Sequence, residues 1–512
     1  MDSSSTLVEV PHTHREPWPG ARKTGNIDPE REVILTIWLR PKKGGTLDPA
    51  RIEQLGRTPP RERTYLTRKQ LIEQSDADPQ ERHAVEAYCA RHKLTLVGSP
   101  WRSVIVSGPL GKLIEIFDAN VELYLDSNQH HFRHRAGPVK LPKDIAPFVR
   151  GVFGFHEWPH SLRLKPEPPG KTPPLSAHDV ATRYAFPKDA DGTGQTIGIL
   201  QLGGSFVLAD FRACMEWQHT KAADPEIVRV DDAATHRDNQ TGKDIELALD
   251  TQIVGALAPG AKLVIYDAPN NERGFLDAIR KAVLDDPYAP DVLSISFGWS
   301  ERVWTPVALD LLADLAAAAA LLGVTILCSS GDEGAHPDPQ DKRLHSEAPA
   351  SIPFVLACGA TVIEPDSGNE IAWSNSTGGF SRHFSTPAWQ STVANEAQRA
   401  GQDAGRGAPD VAAQQDPGYP IVFDGVRHRA LGTSAVAPMW AALVARENQH
   451  LGVRAGFFAP LLYGRAKGSE ALRAITHGSN GAYKAHAGWN PCTGLGVPDA
   501  PALERALLGS SA

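Results

Sequence analysis

Cysteine is scarce in this chain and gives no sign of a disulfide framework. The 512 residues include five cysteines, an odd number, scattered and mostly in apolar or glycine-rich surroundings: Cys89, Cys214, Cys328, Cys358 and Cys492. Disulfide scaffolds and zinc sites both place cysteines at short, regular spacings. We therefore interpret these residues as buried thiols of a core.

Long apolar runs are also missing. Mean hydropathy is -0.29, and no stretch approaches the roughly 20 apolar residues of a membrane helix. Residues 1–5 (MDSSS) lack the basic-then-apolar pattern of a secretory signal. We predict a soluble protein without a membrane segment. We expect it outside the cell, exported by a route these residues do not reveal, with the cytoplasm as the alternative.

Charge is divided unevenly along the chain. Residues 1–175 hold 26 Lys+Arg and 21 Asp+Glu, whereas residues 176–512 hold 26 and 39, for a net charge of -8. Nine of the 19 histidines also lie in the first part. The opposite net charges predict that the two parts bind each other and argue against nucleic acid as a partner. An ordinary solvated basic surface is the alternative for the first part.

Composition divides the chain into four segments. Residues 1–30 are polar and rich in proline and glycine, which predicts disorder. Residues 156–175 contain six prolines and predict an extended, exposed linker. Residues 31–155 and 176–512 remain as two folded domains.

The two domains show different patterns. Residues 31–155 predict a ferredoxin-like α+β unit, with strands at 33–39, 94–97, 103–106 and 121–125 and helices at 67–74, 79–92 and 110–117. Residues 176–512 predict a doubly wound, mostly parallel α/β sheet, with strands at 195–200, 262–266, 292–296 and 324–328 and helices at 244–257, 274–284 and 307–322.

A serine stands at the predicted start of a later helix. Gly432-Thr433-Ser434 precedes an apolar stretch, 439–444 (MWAALV). The free N–H groups at a helix start can hold a developing oxyanion, and a serine needs a base to become a nucleophile. The string Gly-Thr-Ser-x-x-x-Pro occurs in subtilisin-like peptidases, whose histidine base lies in His-Gly-Thr-His. Here the one His-Gly, His477-Gly478, follows the serine, so that base is missing.

Two carboxylates are the better candidates for the base. Glu246 and Asp250 lie one turn apart on the helix predicted over 244–257, among apolar neighbours. Buried carboxylates need partners or a shared proton, and a pair sharing a proton suits a base that works in acid. Ser434, Glu246 and Asp250 then serve as nucleophile, base and orienting group. The alternative is an acidic pair exposed to solvent.

A third carboxylate, Asp332, follows the strand predicted over 324–328 and a Ser/Gly turn. The carboxyl ends of parallel strands are where open α/β sheets place their sites. A protonated Asp332 could donate a hydrogen bond to an oxyanion. A role limited to shaping its turn is the alternative.

Taken in order, these motifs resemble the sedolisins, or serine-carboxyl peptidases, and within them the kumamolisin-like branch. The matching pieces are the Glu246/Asp250 helix, 255–261 (GALAPGA), 293–298 (LSISFG), 330–332 (SGD), 406–411 (RGAPDV), 432–434 (GTS) and 488–496 (GWNPCTGLG). Residues 65–67 and 152–155 are similar to the two ends of the family's activation domain.

The resemblance implies a subtilisin-like fold and an acid-acting serine endopeptidase made as a self-processing zymogen. It assigns Ser434 as nucleophile, Glu246 as base, Asp250 as its partner and Asp332 to the oxyanion hole. Residues 31–155 would be the activation prodomain, an intramolecular inhibitor and folding aid, with cleavage in the linker. Substrates would be proteins or peptides, and the molecule a monomer. A tripeptidyl exopeptidase on the same fold and a catalytically silent binding protein are the alternatives.

The chain departs from the family pattern at two places. Gln201 stands where kumamolisin-like relatives have a glutamate, and Phe297 where they have a tryptophan, so a shorter proton network is expected. At the family's calcium loop, Ala474 and Asn490 replace the two carboxylate ligands. Calcium prefers six to eight oxygens, several of them charged. We predict weak calcium binding or none, and no required cofactor.

Overall fold

Residues 6–18, 20–45, 47–126, 131–157, 172–231, 242–285, 287–335, 343–464 and 471–509 are described by the computed structural model. We call residues 6–157 the N-terminal domain and residues 172–509 the C-terminal domain. Residues 158–171, the larger part of the predicted linker 156–175, lie outside the described residues. All five cysteines are buried and free, as predicted.

The N-terminal domain combines short helices with antiparallel strands. Its helices are α1 (Pro49–Arg57), α2 (Arg68–Ser75), α3 (Pro79–Arg91) and α4 (Leu110–Phe117). Its strands are β1 (Leu7–Glu9), β2 (Arg22–Gly25), β3 (Glu32–Leu39), β4 (Thr95–Gly98), β5 (Ser103–Pro109), β6 (Asn120–Leu125), β7 (His131–Ala136), β8 (Lys140–Pro142) and β9 (Val149–Phe153).

The main sheet of this domain has the order β4-β5-β3-β9 and is antiparallel throughout. With α3 before β4 and α4 after β5, the chain follows the predicted ferredoxin-like order. The fourth strand of this sheet is β9, whereas the predicted strand 121–125 is β6, which pairs with β2 and β7 in a second sheet. Helix α3 starts where Asp78 caps it, since the Asp78 carboxylate accepts from the backbone N–H groups of Gln80 and Glu81.

The prediction of disorder for residues 1–30 is wrong within the described part of that segment. Strand β1 pairs with β8, and β2 pairs with β6. Val10 is 1% exposed and belongs to the domain's apolar core. A polar composition did not reveal this order because pairing with an existing strand edge uses backbone groups and needs few apolar side chains.

The C-terminal domain alternates strands and helices. Its helices are α5 (Ala177–Arg183), α6 (Leu208–Trp217), α7 (Lys243–Leu257), α8 (Glu272–Arg280), α9 (Pro306–Leu322), α10 (Val393–Arg399), α11 (Thr433–Leu451), α12 (Ala459–Gly464) and α13 (Ala500–Leu508). Its strands are β10 (Thr196–Leu202), β11 (Glu226–Arg229), β12 (Lys262–Ala268), β13 (Val292–Ile295), β14 (Trp299–Ser300), β15 (Thr325–Ser329), β16 (Glu347–Ala348), β17 (Leu356–Ile363), β18 (Glu370–Ala372), β19 (Gly379–Phe380), β20 (Gly407–Ala408), β21 (Val411–Asp416), β22 (Tyr419–Phe423), β23 (Val426–Ala430), β24 (Leu472–Arg473) and β25 (Val497–Pro498).

The large sheet runs β11-β12-β10-β13-β15-β17, and both β18 and β21 pair with β17. Every pairing in it is parallel except that of β18. Helices α7 and α11 pack on each other and on the sheet, and so do α8 and α9. This is the parallel α/β architecture that the alternating pattern predicted. The carboxyl ends of β10, β13 and β15 therefore share one edge.

Oppositely charged side chains join the two domains along α8 and α9. Arg15 binds Glu272, and each of these side chains is 4% exposed. Arg102 lies 2.9 Å from Asp314, and Arg150 pairs with Asp310. The basic N-terminal domain thus binds the acidic C-terminal domain, as the charge division predicted. Among the described residues, none of the helices has the length and apolar character needed to cross a membrane.

Candidate active site

Helix α7 carries two carboxylates into the apolar interior. Glu246 and Asp250 are both fully buried. Within the described part of the chain, neither oxygen of Glu246 has a hydrogen-bond partner at ordinary distance, and Asp250 has one, Ser296. Burial raises the pKa of Glu246 well above its usual range, the charge of Asp250 adds to this, and the Ser434 hydroxyl opposes it. Burial also raises the pKa of Asp250, against the hydrogen bond from Ser296.

Ser434 lies in the first turn of α11, as the sequence predicted for the helix start. It is 5% exposed, and its Oγ donates a long hydrogen bond of 3.4 Å to the main-chain oxygen of Ser296. The preceding Gly432 has φ +86°, and a Cβ there would lie 2.4 Å from Oδ2 of Asp332. Glycine is therefore required at this helix start by both backbone conformation and space.

Asp332 follows β15 and reaches the same turn of α11. Its Oδ1 accepts from the Thr433 backbone N–H at 2.8 Å and from the Thr433 hydroxyl at 2.7 Å. The Thr433 Oγ1 also accepts from the Gly331 N–H at 3.1 Å. Burial nevertheless raises the pKa of Asp332. This favours the protonated, hydrogen-bond-donating form over a wider pH range.

The structure brings all four predicted site residues together. Glu246 lies close enough to Ser434, Asp250 and Asp332 for each to change its pKa. The packing of α7 on α11, beside the carboxyl ends of β13 and β15, produces this arrangement. The site contains a hydroxyl nucleophile, two carboxyls that can share a proton, and a third carboxyl next to a helix start, which are the groups that acyl transfer needs.

Sequence reasoning missed two further residues of the site. Ser296, directly after β13, has its Oγ 2.7 Å from Oδ1 of Asp250. Glu347, on β16, packs so closely on Gly331 that a Cβ there would lie 2.3 Å from Glu347 Oε1. Burial raises the pKa of Glu347 to about 8, and the charge of Asp332 adds to the shift. Ser296 belongs to the motif 293–298, but nothing in the sequence gives a reason to assign it a role. Glu347 lies in none of the motifs that the sequence revealed.

Gln201 lies near the carboxyl end of β10. Its Nε2 donates to the main-chain oxygens of Gly203 and Lys243, the latter at 3.1 Å. The amide therefore ties the end of β10 to the start of α7. Phe297 is fully buried in the apolar core. Neither side chain offers an acidic group beyond Asp250.

The position of the expected calcium loop does not fit a calcium ion. Oδ1 of Asn490 accepts from the backbone N–H groups of Cys492 and Thr493, each at 3.0 Å, and from the Thr493 hydroxyl at 3.2 Å. Its Nδ2 donates to His486. The side-chain oxygen of Asn490 is thus occupied by three donors in a turn, and Ala474 offers no side-chain ligand. No group of three His, Cys, Asp or Glu side chains suited to a metal occurs among the described residues.

Comparison with known proteins agrees with this geometry. Residues 19–158 match the family Pro-kumamolisin, activation domain. The chain is 35% identical to kumamolisin of Bacillus sp. (strain MN-32) over 98% of its own length and 96% of that protein. It is 27% identical to tripeptidyl-peptidase 1 of Homo sapiens, covering 96% of this chain and 94% of that protein.

A solved structure shows the same relationship. Pseudomonas sedolisin, a serine-carboxyl proteinase complexed with two molecules of pseudo-iodotyrostatin, superposes with a TM-score of 0.57 at 25% identity. The match covers 66% of this chain and 99% of that one. Fold and sequence together define a serine-type peptidase preceded by an activation domain. The chain belongs to the sedolisin, or serine-carboxyl peptidase, family.

Proposed function

We propose that this protein is an acid-acting serine-carboxyl endopeptidase made as a self-processing zymogen. The observation that carries the proposal is the meeting of Ser434, Glu246, Asp250 and Asp332 at one edge of the sheet. Ser434 Oγ attacks the scissile carbonyl while Glu246 takes its proton and later gives that proton to the leaving amine. Asp250 orients Glu246, and a protonated Asp332 with backbone N–H groups holds the oxyanion.

Acid suits this arrangement for two reasons. Burial raises the pKa of Asp332, which keeps the carboxyl protonated and able to donate in mild acid. The pKa values of Glu246 and Asp250 are also raised, so the pair retains one shared proton while the other carboxyl stays ionised as the base. Raising the pH removes the shared proton and ionises Asp332. Activity is therefore expected to fall toward neutral pH.

The N-terminal domain would inhibit the enzyme until acid loosens it. Near Arg15, His134 and His156 are buried with their Nδ1 atoms 3.1 Å apart. His134 Nε2 lies 3.0 Å from the main-chain oxygen of Glu16, so Nε2 carries the proton and the neutral ring accepts at Nδ1 from His156. When both rings are protonated, both Nδ1 atoms carry a hydrogen. The two N–H groups then point at each other and neither has an acceptor.

The surroundings of this histidine pair oppose protonation. Burial and the charges of Arg15 and Arg135 lower the pKa of His134 to about 3. Burial also lowers the pKa of His156 well below its usual value, and the charges of Arg15 and Arg133 add to the effect. The other rings that face the pair, from Trp18, Tyr124 and Phe132, are uncharged or apolar. Acid thus favours unfolding or release of this domain, because His134 and His156 can bind protons once water reaches them.

Intact-mass analysis of the full-length chain after incubation at about pH 4 and about pH 7 tests the proposal. We expect loss of an N-terminal fragment in acid alone, and no loss in Ser434→Ala at either pH. A chain that loses the same fragment at both pH values would contradict acid activation. A wild-type chain that stays whole and inactive in acid would favour the silent relative.

A tripeptidyl exopeptidase is the second candidate, and the similarity to tripeptidyl-peptidase 1 favours it. Paired peptides of one sequence, with free and acetylated N-termini, separate the two activities. An endopeptidase cleaves both, whereas a tripeptidyl peptidase releases tripeptides only from the free amine. We further propose that the enzyme acts on proteins or peptides as an extracellular monomer without bound calcium.

A further inference from the structure

Ser296 lies where the carboxyl end of β13 meets both α7 and α11, and the proposed mechanism does not use it. The residue is 3% exposed. Its Oγ lies 2.7 Å from Oδ1 of Asp250 and 3.2 Å from the main-chain oxygen of Ser434. The Ser434 hydroxyl in turn donates to the main-chain oxygen of Ser296. The Ser296 side chain therefore links Asp250 to the main chain of Ser434.

Ser296 supplies the hydrogen bond that the Asp250 carboxyl makes within the described residues. The other oxygen, Oδ2, has no hydrogen-bond partner there, and neither has Glu246. A hydroxyl that donates to a carboxylate stabilises the charged form, and accordingly Ser296 lowers the pKa that burial raises. Burial and this one contact thus act on the pKa of Asp250 in opposite directions.

A hydroxyl has one hydrogen, and Ser296 Oγ faces two oxygens. When Asp250 is ionised, the Ser296 hydroxyl donates to Oδ1. When Asp250 holds a proton on Oδ1, that proton is donated to Ser296 Oγ, and the Ser296 hydroxyl turns to the main-chain oxygen of Ser434. In both states Ser296 Oγ and Asp250 remain hydrogen-bonded without moving a heavy atom. The site can therefore change the charge of Asp250 without reorganisation.

We propose that Ser296 is a positioning residue, which keeps Asp250 hydrogen-bonded in both of its charge states, so that the proton shared with Glu246 can sit on either carboxyl and Glu246 is free to accept the proton of Ser434. This rests on the proposed function of the site. During attack the Ser434 proton passes to Glu246, Asp250 keeps its own proton, and Ser296 satisfies Asp250 throughout. The Ser296 side chain acts through Asp250 and touches no reacting atom.

Ser294 provides a matched control. It lies two residues earlier on β13, on the same face of the strand, is fully buried, and its Oγ has no hydrogen-bond partner among the described residues. We expect kcat of Ser296→Ala to fall by about 2- to 10-fold, the range for losing a hydrogen bond between neutral groups, with KM nearly unchanged. Ser294→Ala should retain wild-type kcat, and Ser296→Thr, which keeps the hydroxyl, should recover most of the loss.

The pH profile separates positioning from packing. Without the hydroxyl the Asp250 carboxylate loses its donor, so the acid limb of kcat in Ser296→Ala should move to higher pH. An unchanged profile, or an equal loss in Ser294→Ala, would overturn the proposal. The proposed function fails separately, if Ser434→Ala or Glu246→Gln keeps full activity.

A measurement without turnover gives a second test. Infrared titration of buried carboxyl groups can be done in full-length Ser434→Ala, with Asp250→Asn identifying the Asp250 band. Adding Ser296→Ala should move the titration of that band to higher pH, and adding Ser294→Ala should not. A band that titrates identically in all of these backgrounds would refute the role of Ser296, whatever the activity.

Discussion

The buried histidines of the N-terminal domain and the buried carboxyls of the C-terminal domain respond to acid in opposite ways. The pKa of His134 is lowered to about 3, since burial and nearby arginines oppose its charge. Burial raises the pKa of Glu347 and of Glu447 to about 8. In both domains the interior favours the neutral form. A histidine loses its neutral form in acid, where it gains a proton. A carboxyl loses its neutral form in base, where it gives up its proton.

The consequence for stability follows from the direction of each shift. A carboxyl whose folded pKa is raised contributes stability that is complete below its unfolded pKa of about 4.3 and is lost as the pH rises through the folded value. A histidine whose folded pKa is lowered contributes stability above about 6.5 that is lost as the pH falls toward the folded value. Between pH 6.5 and 3, acid thus removes the stability that the buried histidines contribute to the N-terminal domain, while Glu347 and Glu447 keep their contribution to the C-terminal domain.

The largest expected effect comes from replacing a buried carboxyl of the C-terminal domain. Glu246→Gln keeps the shape of the side chain and removes the base, so kcat/KM should fall by about 1000-fold or more. Stability at pH 7 should not fall, because a buried charge is removed. Kinetics and thermal unfolding test both statements.

Glu447→Gln is the control for Glu246→Gln. Glu447 is 1% exposed, and both of its oxygens lack hydrogen bonds to the described residues. It lies on α11, about 20 Å along the helix from Ser434. Its loss should leave activity unchanged and flatten the decline of stability between pH 4.3 and 8. Equal loss of activity in the two variants would mean that burial of a carboxyl, and not its place in the site, sets the rate.

Arg15→Ala, tested in full-length Ser434→Ala, measures how much a buried carboxyl depends on its charged partner. It leaves Glu272 buried without its partner, so the free energy of unfolding should fall by about 3–5 kcal/mol. Arg57→Ala is the control, since Arg57 pairs with Glu53 on an exposed face, where such pairs contribute about 0.5 kcal/mol. Denaturant unfolding at pH 7 measures both. If the free energy of unfolding fell equally in the two variants, burial would not determine how much an ion pair contributes to stability.

His156→Phe removes one titrating group from the N-terminal domain and keeps a ring stacked on Trp18. In the Ser434→Ala background, the decline of the free energy of unfolding between pH 6.5 and 3 should become shallower by up to about 1.4 kcal/mol per pH unit. His83→Gln, which changes an exposed histidine of the same domain, should leave the slope as it is. A slope that stays steep in His156→Phe would exclude the histidine pair as an acid-sensitive element.

The sequence predicted the parts of the fold that depend on periodicity. Helix α4 lies at its predicted bounds, and the predicted strands of the large sheet lie within two residues of theirs. Strands β1 and β2 were missed because they are short, lie in a segment of polar composition and owe their order to partners elsewhere in the chain. For such segments local composition carries no signal.

The candidate site was predictable to the extent that its residues stand in recognisable motifs. Ser434, Glu246, Asp250 and Asp332 each follow a glycine-rich turn or occupy a helix face that local pattern identifies. Ser296 and Glu347 lie in the site because β13 and β16 meet it in space. Only the three-dimensional arrangement shows such contacts.

Calcium is expected to have the smallest effect. With Asn490 Oδ1 occupied by three donors, adding 1 mM calcium or a chelator should leave the thermal midpoint of the full-length chain unchanged. A site with a dissociation constant of about 10 μM would instead add about 2.7 kcal/mol at about 1 mM calcium. A rise of that size would show that other oxygens build a calcium site.

The buried pair Arg15–Glu272 also bears on which environments keep the zymogen intact. Dissolved ions weaken attraction between charges that water surrounds, over a Debye length of about 8 Å at physiological ionic strength. Both members of this pair are 4% exposed, so salt has little access to them. Brine at neutral pH should therefore leave the two domains joined. We expect the contact made by this pair to persist across large changes in salinity.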